Sequence, residues 1–561
     1  MVLERIVDKV IDTDFLVVGG AIGGSAAAAK AAEHGLKVTL AEKAKTDRSG
    51  TSGQGIDHYG GAFPRGMTVK EWKEFLEKMG AGVCYGGGPY MNQTRLYRQY
   101  ANGFWGIEEM EKLGVTMRWD DGDLRPIKNF FGPAPFTRVH WYDCKPQMAA
   151  GVRKRGVNVL ERTMVVDLLT NNGAVVGATA IDTRTGEFIV IRAKAVVVAT
   201  GMFGRLYGQS VKYYFIMHPC PAAVSGDGWA MAYRAGAELA NLEQSRVRGG
   251  MVHDLTMSHG NIRNEGIAVR MRTWDGDEVP SISRETEALF VDLERKGKAP
   301  FYYDFGNLPD DFHKRIEVCY VDERMIGFKV AEDRGFNPRT HWYETMQRKP
   351  TVLHAHPGIE ADENFQSTVK GLFAIGDCSS GSHDVANAAT SGFLVGDSIE
   401  SFIKETAEPV IDEAQVESQK ETALAPLSVK DGTESKELEQ AVQNICMYYI
   451  ASHRSEGMLL EGLRRLGSLK KVFIPQLKAK NPHELMRCLE VRNIMDVAEA
   501  HMQVCLERKE THGSHYRLDY PEPDPSQDDL RTYQRLENGQ PVLEMRKVKP
   551  LEYPDDHKEE R

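Results

Sequence analysis

A glycine-rich turn close to the N-terminus has the residue types and spacing that bind the phosphates of a dinucleotide. An apolar strand at residues 14–19 runs into the sequence GGAIGGSAAAAKAAEHG, where a tight turn leads into an Ala-rich helix. We expect Gly19 to make the turn and Gly24 to let the helix pack closely on the strand, so that the helix N-terminus faces a pyrophosphate. The residues assigned to this turn are Gly19, Gly20, Ala21, Gly23 and Gly24.

An acidic residue at the end of the next strand completes this fingerprint. Glu42 lies 18 residues after Gly24, where a carboxylate accepts hydrogen bonds from ribose hydroxyls and disfavours a 2′-phosphate. Ala21 stands where the pattern has its middle glycine, although Gly20 and Gly23 keep the turn open. The pattern predicts NAD or FAD and does not choose between them. An ordinary strand-to-helix turn without a ligand is the alternative.

The elements that must position this turn indicate an α/β fold. The first strand, the helix and a second strand, KVTLAEK, form a βαβ unit and imply a parallel sheet. Further apolar strands at 193–201 and 370–377 indicate a discontinuous domain around an insertion of roughly a hundred residues. A polar stretch then precedes apolar residues at helical spacing, which predict a helical bundle, and LENGQPVLEM predicts a hairpin. The predicted boundaries are 1–240 and 351–406 for the dinucleotide-binding domain, 241–350 for the insertion, 407–436 for a linker, 437–520 for the helical domain and 521–561 for an extended tail.

Length and composition argue against several other classes of protein. The chain has 561 residues, too many for one ordinary core, and a net charge of −10 that gives no electrostatic reason to bind nucleic acid. It contains no apolar run long enough to cross a bilayer and no signal-peptide pattern, so we expect a cytoplasmic protein that does not span a membrane. None of the eight cysteines are paired at the short spacings that hold zinc or iron–sulfur clusters, so we expect no metal ligand set and no electron relay in this chain.

The segment that follows Glu42 resembles part of a known family. The sequence AKTDRSGTSGQGI is similar to the flavin-facing loop of the fumarate reductase/succinate dehydrogenase flavoprotein superfamily, which includes L-aspartate oxidase and the α subunit of adenylylsulfate reductase. Four later segments resemble its other motifs, and the likeness covers nearly the whole chain: AVVVATGMFG, SGDGWAMAYRAGAEL, GLFAIGDCSSGS and ERKETHGSHYRLDYPE. The resemblance implies a Rossmann-like FAD-binding domain with an inserted capping domain and a C-terminal helical domain.

The same resemblance implies FAD as the cofactor, held without a covalent bond. Respiratory members of the family carry a histidine after the Ser of this loop, bonded to the flavin, and this sequence has Gly50 there. His58 is nearby but out of register. Beyond the phosphate turn and Glu42, the resemblance assigns cofactor contacts to Lys43, Ser49, Gly50, Thr51, Gly55, Ala199, Thr200, Gly201, Asp227, Asp377, Phe393 and Leu394.

The family also implies a proton-transfer pair in the capping domain, where an arginine is followed by an acid. The matching residues in this sequence are Arg284 and Glu285. An arginine is almost always charged in water, so it transfers a proton only where a neighbouring carboxylate shuttles the proton and a desolvated pocket lowers the arginine pKa. A surface ion pair on a helix of the capping domain is the alternative.

Four further residues are expected to bind the substrate. Arg248 stands where the fumarate enzymes have a substrate histidine, and Arg246 lies two residues earlier, on what would be the same strand face. Arginine suits a carboxylate, sulfate or phosphate group, whereas outward salt bridges are the alternative. His354 and His356 stand near a second family histidine, and the register does not choose between them.

The largest departure from the family pattern lies further along the chain. Fumarate and succinate enzymes carry HGANRLGxNSL, whose arginine clamps a carboxylate, and this sequence reads SHDVANAATSGFL with Ala388 at the arginine position. The charge-assisted hydrogen bonds that are lost are worth about 1.5–3 kcal/mol each. An unmodified site for a C4-dicarboxylate is therefore not expected.

We expect an FAD-dependent two-electron oxidoreductase that acts on a small anionic substrate and exchanges electrons with an iron–sulfur partner subunit. An adenylylsulfate reductase-like α subunit that forms a flavin–sulfur adduct is favoured by the DRSG loop and opposed by the shorter chain and the missing GSHAEGR segment. An aspartate oxidase-like enzyme is favoured by the C-terminal motif and opposed by the lost clamp. A flavoprotein that only relays electrons is the third alternative.

Overall fold

The structure is a computed structural model of the chain. It describes residues 3–54, 56, 58–60, 67–79, 91–127, 136–139, 143–207, 221–248, 270–279, 286–306, 310, 313, 333–335, 337, 339–345, 349–352, 356–382, 384–451 and 453–559.

The helices and strands of these residues alternate through the first two-fifths of the chain, and helices dominate after residue 384. The α-helices are α1 (Leu3–Ile6), α2 (Ile22–Glu33), α3 (Val69–Met79), α4 (Gln93–Ala101), α5 (Gly103–Lys112), α6 (Cys144–Lys154), α7 (Asp227–Arg234), α8 (Thr286–Arg295), α9 (Asp384–Glu405), α10 (Glu413–Leu424), α11 (Ser435–Tyr449), α12 (Glu456–Phe473) and α13 (Pro482–Glu507). The strands are β1 (Lys9–Val18), β2 (Val38–Glu42), β3 (His58–Gly60), β4 (Arg125–Ile127), β5 (Phe136–Arg138), β6 (Asn158–Glu161), β7 (Thr163–Asn171), β8 (Ala174–Asp182), β9 (Phe188–Val198), β10 (Leu239–Ala240), β11 (Arg246–Arg248), β12 (Arg270–Thr273), β13 (Glu278–Val279), β14 (Phe301–Asp304), β15 (Trp342–Thr345), β16 (Lys349–Val352), β17 (Gly358–Ile359), β18 (Leu372–Ala374), β19 (Thr433–Glu434), β20 (Leu477–Lys478), β21 (Leu530–Glu537) and β22 (Gln540–Lys547).

The main sheet brings together the four strands that the sequence predicts. Strands β6, β2, β1 and β9 lie side by side and parallel, and β1 has β2 on one side and β9 on the other. The first part of β9 pairs antiparallel with β8, and its last residues, Val196–Val198, pair parallel with β18. Because these parallel strands end at the same edge, Val18, Ala41, Val198 and Ala374 lie in one row. The candidate functional site lies at this row of strand ends.

Helices cover both faces of the sheet, and the closest packing is between α2 and α9. A Cβ atom on Gly392 would lie 2.2 Å from the Gly23 carbonyl oxygen, and one on Gly396 would lie 2.6 Å from the Ala27 carbonyl oxygen. Larger residues at these positions would separate the two helices. The small residues of α2, an Ala-rich helix, therefore hold α9 against the start of α2.

The segment that the sequence indicates as a linker contains helix α10. Its Val416 and Ala423 are fully buried, and two glutamines bind the edge of the main sheet. Gln415 accepts a hydrogen bond from the Thr170 amide at 3.0 Å, and Gln419 donates to the Leu168 carbonyl oxygen at 2.9 Å. The sequence shows no sustained apolar face because glutamines supply part of this contact with the sheet.

The C-terminal part of the chain contains the predicted helical domain and the predicted hairpin. Helices α11, α12 and α13 pack on one another through buried apolar residues such as Val442, Leu459 and Ile494. Strands β21 and β22 meet at Asn538 and Gly539, which both have positive φ, as a tight two-residue hairpin turn requires. The segment predicted as an extended tail therefore returns to the protein, since β21 pairs with β10.

The described part of the insertion is a small sheet with one helix. Strands β13, β12, β14 and β15 pair in that order, and α8 packs on them with the Phe290 and Phe301 rings 4.8 Å apart. In the described ranges, no helix combines the length and apolar character needed to cross a membrane. Likewise, those ranges hold no group of three or more His, Cys, Asp or Glu side chains that could bind a metal ion.

Candidate functional site

The phosphate turn is built from backbone that leaves no room for side chains. Gly19 has a φ of +101°, and a Cβ atom there would lie 2.7 Å from the Ala199 carbonyl oxygen. A Cβ atom on Gly24 would lie 1.9 Å from the Gly19 carbonyl oxygen. The Gly19 amide donates to the Ala41 carbonyl oxygen and the Ala199 amide to that of Val18, each at 2.8 Å. Glycine is therefore required where β1, β2 and β9 end together.

The first turn of α2 is available for an anion. Ala21 is the N-cap residue and its side chain accepts no hydrogen bond, so it satisfies none of the amides that begin the helix. A phosphate group placed there meets free N–H donors and the positive end of the helix dipole. Gly23, another predicted contact, lies against the Ala388 carbonyl oxygen of α9, 3.0 Å from where its Cβ atom would be.

Glu42 is fixed beside the turn by two backbone amides. Its Oε2 accepts from the Gly20 amide and its Oε1 from the Ala44 amide, both at 2.7 Å. The residue is 7 % exposed, so its carboxylate is held at one position at the end of β2. Each carboxylate oxygen keeps a further lone pair that can accept a ribose hydroxyl. The geometry suits the ribose contact that the sequence predicts.

The loop after β2 lies directly on the phosphate turn. Gly50 has a φ of +72°, and a Cβ atom on it would lie 2.5 Å from the Ala21 Cβ atom. The alanine that replaces the middle glycine of the turn is therefore accommodated by a glycine in the opposite loop. Ser49 is buried, and Thr51 begins a short 3₁₀ helix that ends at Gln54.

The predicted non-covalent flavin contact falls on this loop. Gly55 lies outside the described residues. His58 is in β3, where it pairs with Arg138 of β5, and its side chain is not part of the described structure.

Lys43 forms the centre of a buried network that joins the main sheet to the helical domain. Its Nζ donates to Asp227 Oδ2 at 2.6 Å, to Glu490 Oε1 at 2.7 Å and to Ser225 Oγ at 3.0 Å. Burial alone would lower the pKa of Lys43, but the two carboxylates outweigh it and the net shift is upward. Asn493 donates to the other Asp227 oxygen at 2.8 Å.

The same network gives Glu490 three cationic partners. Burial would raise the pKa of Glu490, but Lys43, Arg205 and Arg487 lower it to about 2. Lys43 and Asp227, both predicted to contact the cofactor, are thus brought together by the fold and bind each other. Their side chains join β2, α7 and α13, since Glu490 belongs to α13.

The ends of β9 and β18 place the remaining predicted contacts side by side. Thr200 Oγ1 accepts from the Gly228 amide at 3.2 Å and lies 3.1 Å from Cys378 Sγ. Cys378 Sγ in turn lies 3.3 Å from the Gly201 carbonyl oxygen, and Asp377 precedes it in a 3₁₀ turn after β18. Burial raises the pKa of Cys378 to about 12, so this residue is a protonated thiol and not a nucleophile.

Phe393 and Leu394 are two further predicted cofactor contacts. Both lie in the middle of α9 and are 2 % exposed, and the Phe393 ring packs edge-on against Trp105 at 6.0 Å. Their backbone amides belong to a long helix, which uses these groups for its own hydrogen bonds. Both side chains pack in the hydrophobic core, and their contact with the cofactor stays a prediction from the sequence.

The predicted substrate residues are described only in part. Arg284, Glu285 and His354 lie outside the described residues. The half-buried His356 accepts a hydrogen bond on its carbonyl oxygen from the Asn241 side chain at 3.4 Å. Their positions toward a substrate therefore remain predictions from the sequence.

Arg246 and Arg248 form β11, which pairs antiparallel with β16, and their side chains are outside the described structure. The strand register shifts between Arg246 and Val247. The residue that this shift skips is Thr351 of β16, and the common face of the two arginines stays a prediction from the sequence.

Ala388, at the expected position of the arginine clamp, packs on the glycines of the site. A Cβ atom on Gly376 would lie 3.3 Å from the Ala388 Cβ atom, and the Ala388 carbonyl oxygen faces Gly23. This position is part of the contact between α9 and the phosphate turn. No long cationic side chain is available from it.

Lys145 is a functional candidate that sequence reasoning missed. It lies in α6, is fully buried, and its Nζ donates to the Gly20 carbonyl oxygen at 2.5 Å. The two residues are 125 positions apart, and no motif connects them. The one local signal is a lysine in the first turn of a helix, where a positive charge is unfavourable.

Comparison with known proteins agrees with this geometry. Residues 14–394 match the family described as FAD binding domain, and residues 439–557 match the family described as fumarate reductase flavoprotein C-term. An uncharacterised FAD-dependent oxidoreductase from Methanocaldococcus jannaschii is 24% identical over 91% of this chain and 94% of that protein. A fumarate reductase (CoM/CoB) subunit from Methanothermobacter marburgensis is 23% identical over 92% and 96%.

A solved structure shows the same fold over almost the full length. Adenylylsulfate reductase from Archaeoglobus fulgidus aligns with a TM-score of 0.81 and 23% identity, over 97% of both chains. The family match identifies the cofactor as FAD. The features of the structure that fit FAD are the glycine turn, the uncapped start of α2 and the fixed Glu42 carboxylate.

The contact between Gly50 and Ala21 can be tested with a matched pair of glycine substitutions. Gly50→Ala and Gly35→Ala each place a side chain at positive φ, but nothing lies within 4 Å of a Cβ atom on Gly35. We expect Gly35→Ala to lower the free energy of unfolding by about 1 kcal/mol and Gly50→Ala to lower it further, because the new side chain meets Ala21. Only Gly50→Ala should lower FAD affinity, by more than about tenfold. Titration of the apoprotein with FAD measures this difference.

A second substitution makes the test specific. Ala21→Gly removes the atom that the new side chain meets, so the double variant Ala21→Gly/Gly50→Ala should regain most of the lost FAD affinity. Equal FAD affinities for Gly50→Ala and Gly35→Ala would show that the loop does not rest on the turn as described.

The Lys43 network predicts a large effect on stability. Lys43→Met leaves Asp227 and Glu490 with fewer cationic partners in a buried place, so we expect the free energy of unfolding to fall by about 3 kcal/mol. Urea denaturation of the apoprotein measures this. The control is Lys404→Met, which removes an exposed pair with Glu400, and its unfolding midpoint should not change. Similar midpoints for the two variants would contradict the role assigned to Lys43.

Proposed function

This chain belongs to the FAD binding domain family, and from that premise we propose that it is the cytoplasmic flavoprotein subunit of a two-electron oxidoreductase that acts on a small anionic organic substrate. Bound FAD supplies a ring that accepts or donates a hydride, while the protein supplies orientation and charge. The family match covers 14–394 and so includes the phosphate turn, the loop at Gly50 and the ends of β9 and β18.

The pairing of β11 with β16 is the observation that best supports an anionic substrate. This ribbon holds Arg246 and Arg248 on one strand, and the chain continues from the other strand, after Val352, directly to His354 and His356. Guanidinium groups bind carboxylate, sulfate and phosphate groups with paired hydrogen bonds, and imidazole donates one more. Two arginines and two histidines are thus concentrated within a few residues of one two-stranded ribbon.

Proton transfer is assigned to Arg284 with Glu285 as the shuttle. The pair directly precedes α8 in the chain, and α8 is anchored on the insertion sheet by Phe290. If the substrate is an activated alkene, this pair adds or removes the proton while Arg248 and a histidine hold the anionic group.

Plain fumarate or succinate is not the proposed substrate. The packing of Ala388 against Gly23 and Gly376 supports this, because no arginine clamp for a second carboxylate comes from that position. A substrate with one anionic group, or with a smaller second end, suits the remaining residues.

Electrons are proposed to pass to or from a separate iron–sulfur subunit. Several relatives are named as subunits, among them the Methanothermobacter marburgensis protein and the Haemophilus influenzae fumarate reductase flavoprotein subunit, which is 25% identical over 96% of this chain. Affinity purification of the tagged chain from its native cells, followed by iron analysis and EPR spectroscopy, tests this. A flavoprotein that purifies alone and turns over with its natural electron carrier would contradict it.

The substrate class can be tested by flavin reoxidation. The protein is reduced with dithionite-titrated methyl viologen, and the absorbance at the oxidised flavin band is followed after adding a panel of unsaturated mono- and dicarboxylates. We expect rapid reoxidation by an anionic alkene other than fumarate, and with fumarate a rate close to that of buffer. Efficient, saturable turnover of fumarate would show that the dicarboxylate site is intact and the proposal wrong.

The same panel distinguishes the alternatives. Reoxidation by adenylylsulfate, or flavin bleaching by sulfite with AMP, would establish the sulfur chemistry instead. Hydrogen peroxide release from L-aspartate would establish an amino-acid oxidase. If Arg284→Gln leaves substrate turnover unchanged, Arg284 has no part in proton transfer.

Arg248→Lys gives a sharper test of anion recognition. It keeps the charge but loses the paired hydrogen bonds, so KM for the anionic substrate should rise about tenfold while kcat changes less. Arg192→Lys is the control, because Arg192 pairs with Asp12 on the protein surface. An unchanged KM in Arg248→Lys would remove Arg248 from the site.

A further inference from the structure

Lys145 is a buried ammonium group beside the phosphate turn. It is the second residue of α6, and its side chain is fully buried with Nζ 2.5 Å from the Gly20 carbonyl oxygen. Within the described residues, no carboxylate lies at salt-bridge distance from it. A cation buried without an anionic partner is unfavourable, and a first-turn lysine also faces the positive end of its own helix. Both effects act against a positive charge here.

Lys43 shows how a buried lysine at the same edge of the sheet is ordinarily satisfied. Its ammonium group has two carboxylates and one hydroxyl as hydrogen-bond acceptors. Among the described residues, the acceptor that Lys145 meets is a neutral peptide carbonyl, that of Gly20. The difference indicates that the charge of Lys145 serves an anion that joins the site from outside the chain.

The Gly20 peptide connects Lys145 to that site. Its N–H donates to Glu42 Oε2 at 2.7 Å, and its carbonyl oxygen accepts from Lys145 and, at 2.9 Å, from Ser25 Oγ. One residue of the turn is thus held between a carboxylate and an ammonium group. The Glu42 charge suits a ribose, but it repels the two negative charges of a pyrophosphate bound at the same turn.

We propose that Lys145 is a positioning residue for FAD, whose positive charge offsets Glu42 and completes the pyrophosphate site from behind the turn. It acts through the Gly20 peptide and through its electric field, without contacting the cofactor. The positive charge of Lys145 offsets the negative charge of Glu42 before FAD binds. The pyrophosphate at the start of α2 then meets no net repulsive charge. The bound pyrophosphate in turn stabilises the ammonium group.

The charged groups around Lys145 determine the sign of the pH dependence. Burial lowers the pKa of Lys145 to about 8, while Glu42 and Asp47 from neighbouring elements and Cys144 from α6 favour its charge, and Arg153 of α6 opposes it. An added negative charge at the turn raises this pKa. FAD binding is therefore accompanied by proton uptake above pH 8, and the affinity for FAD falls as the pH rises through about 8.

Calorimetric titration of the full-length apoprotein tests the proposal. FAD, ADP and adenosine are the ligands, at pH 7.0 and at pH 9.5, in buffers of different ionisation enthalpy so that proton uptake is measured directly. For the unsubstituted protein we expect FAD and ADP affinities to fall about tenfold between the two pH values, with proton uptake, while adenosine affinity does not change.

The variant Lys145→Met and its control Lys154→Met complete the design. Lys154 is an exposed lysine of the same helix, so its removal should have no effect. Lys145→Met should lose about tenfold in FAD and ADP affinity at pH 7.0, keep its adenosine affinity, and show no pH step. The unfolding midpoint of each apoprotein is measured in parallel, which separates a loss of folding from a loss of charge.

Two outcomes overturn the proposal. Equal losses of adenosine and ADP affinity in Lys145→Met would assign the lysine a merely structural role. The absence of proton uptake and of the pH step in the unsubstituted protein would do the same without any variant, which decides the matter if Lys145→Met does not fold. Because the readout is cofactor binding, the result is independent of the substrate and partner proposed above.

Discussion

The close approach of backbone segments at the carboxyl end of β1 is the constraint on which the site depends. Gly19 contacts Ala199, Gly24 contacts Gly19, and Gly50 contacts Ala21 at distances that exclude further side-chain atoms. The same crowding continues into the helix layer, where Gly392 of α9 meets the Gly23 carbonyl oxygen. Sheet, helix α2, the loop after β2 and helix α9 therefore share one point of contact. A cofactor bound at this point is held by all four elements at once.

Two charged residues that are neighbours in the chain, Glu42 and Lys43, bind different partners near this point. Glu42 is held by two backbone amides at the turn, whereas Lys43, the next residue, faces the opposite way and joins Asp227 to Glu490. The last residue of β2 thus contributes a charge to the cofactor site, and the residue after the strand contributes one to the junction with the helical domain. Lys145 adds a third charge from α6. The stability of the junction with the helical domain and the affinity for FAD therefore depend on two adjacent residues, Lys43 and Glu42.

Local patterns in the sequence predict the parts of this arrangement that are local in the chain. The βαβ unit, the turn from Gly19 to Gly24 and the carboxylate of Glu42 are encoded within about thirty residues, and the structure shows each of them. Contacts between distant residues carry no such pattern, as with Lys43 and Glu490, which are 447 positions apart, or Lys145 and Gly20. Phe393 and Leu394, which the family resemblance assigns to the cofactor, are buried within the long helix α9, and their contact with the cofactor stays a prediction. Helix α10 is not predicted from the sequence because glutamines, and not only apolar residues, bind it to the sheet.

The central claim is that FAD is held by this convergence of backbone and charge, with Gly50 in place of an attaching histidine and no covalent bond. Precipitation of the purified protein with acid or a strong denaturant tests it most directly. We expect the yellow colour to leave with the supernatant and intact FAD to be recovered there, at about one molecule per chain. Flavin that remains with the precipitated protein, or a flavin-bearing peptide after proteolysis, would contradict it.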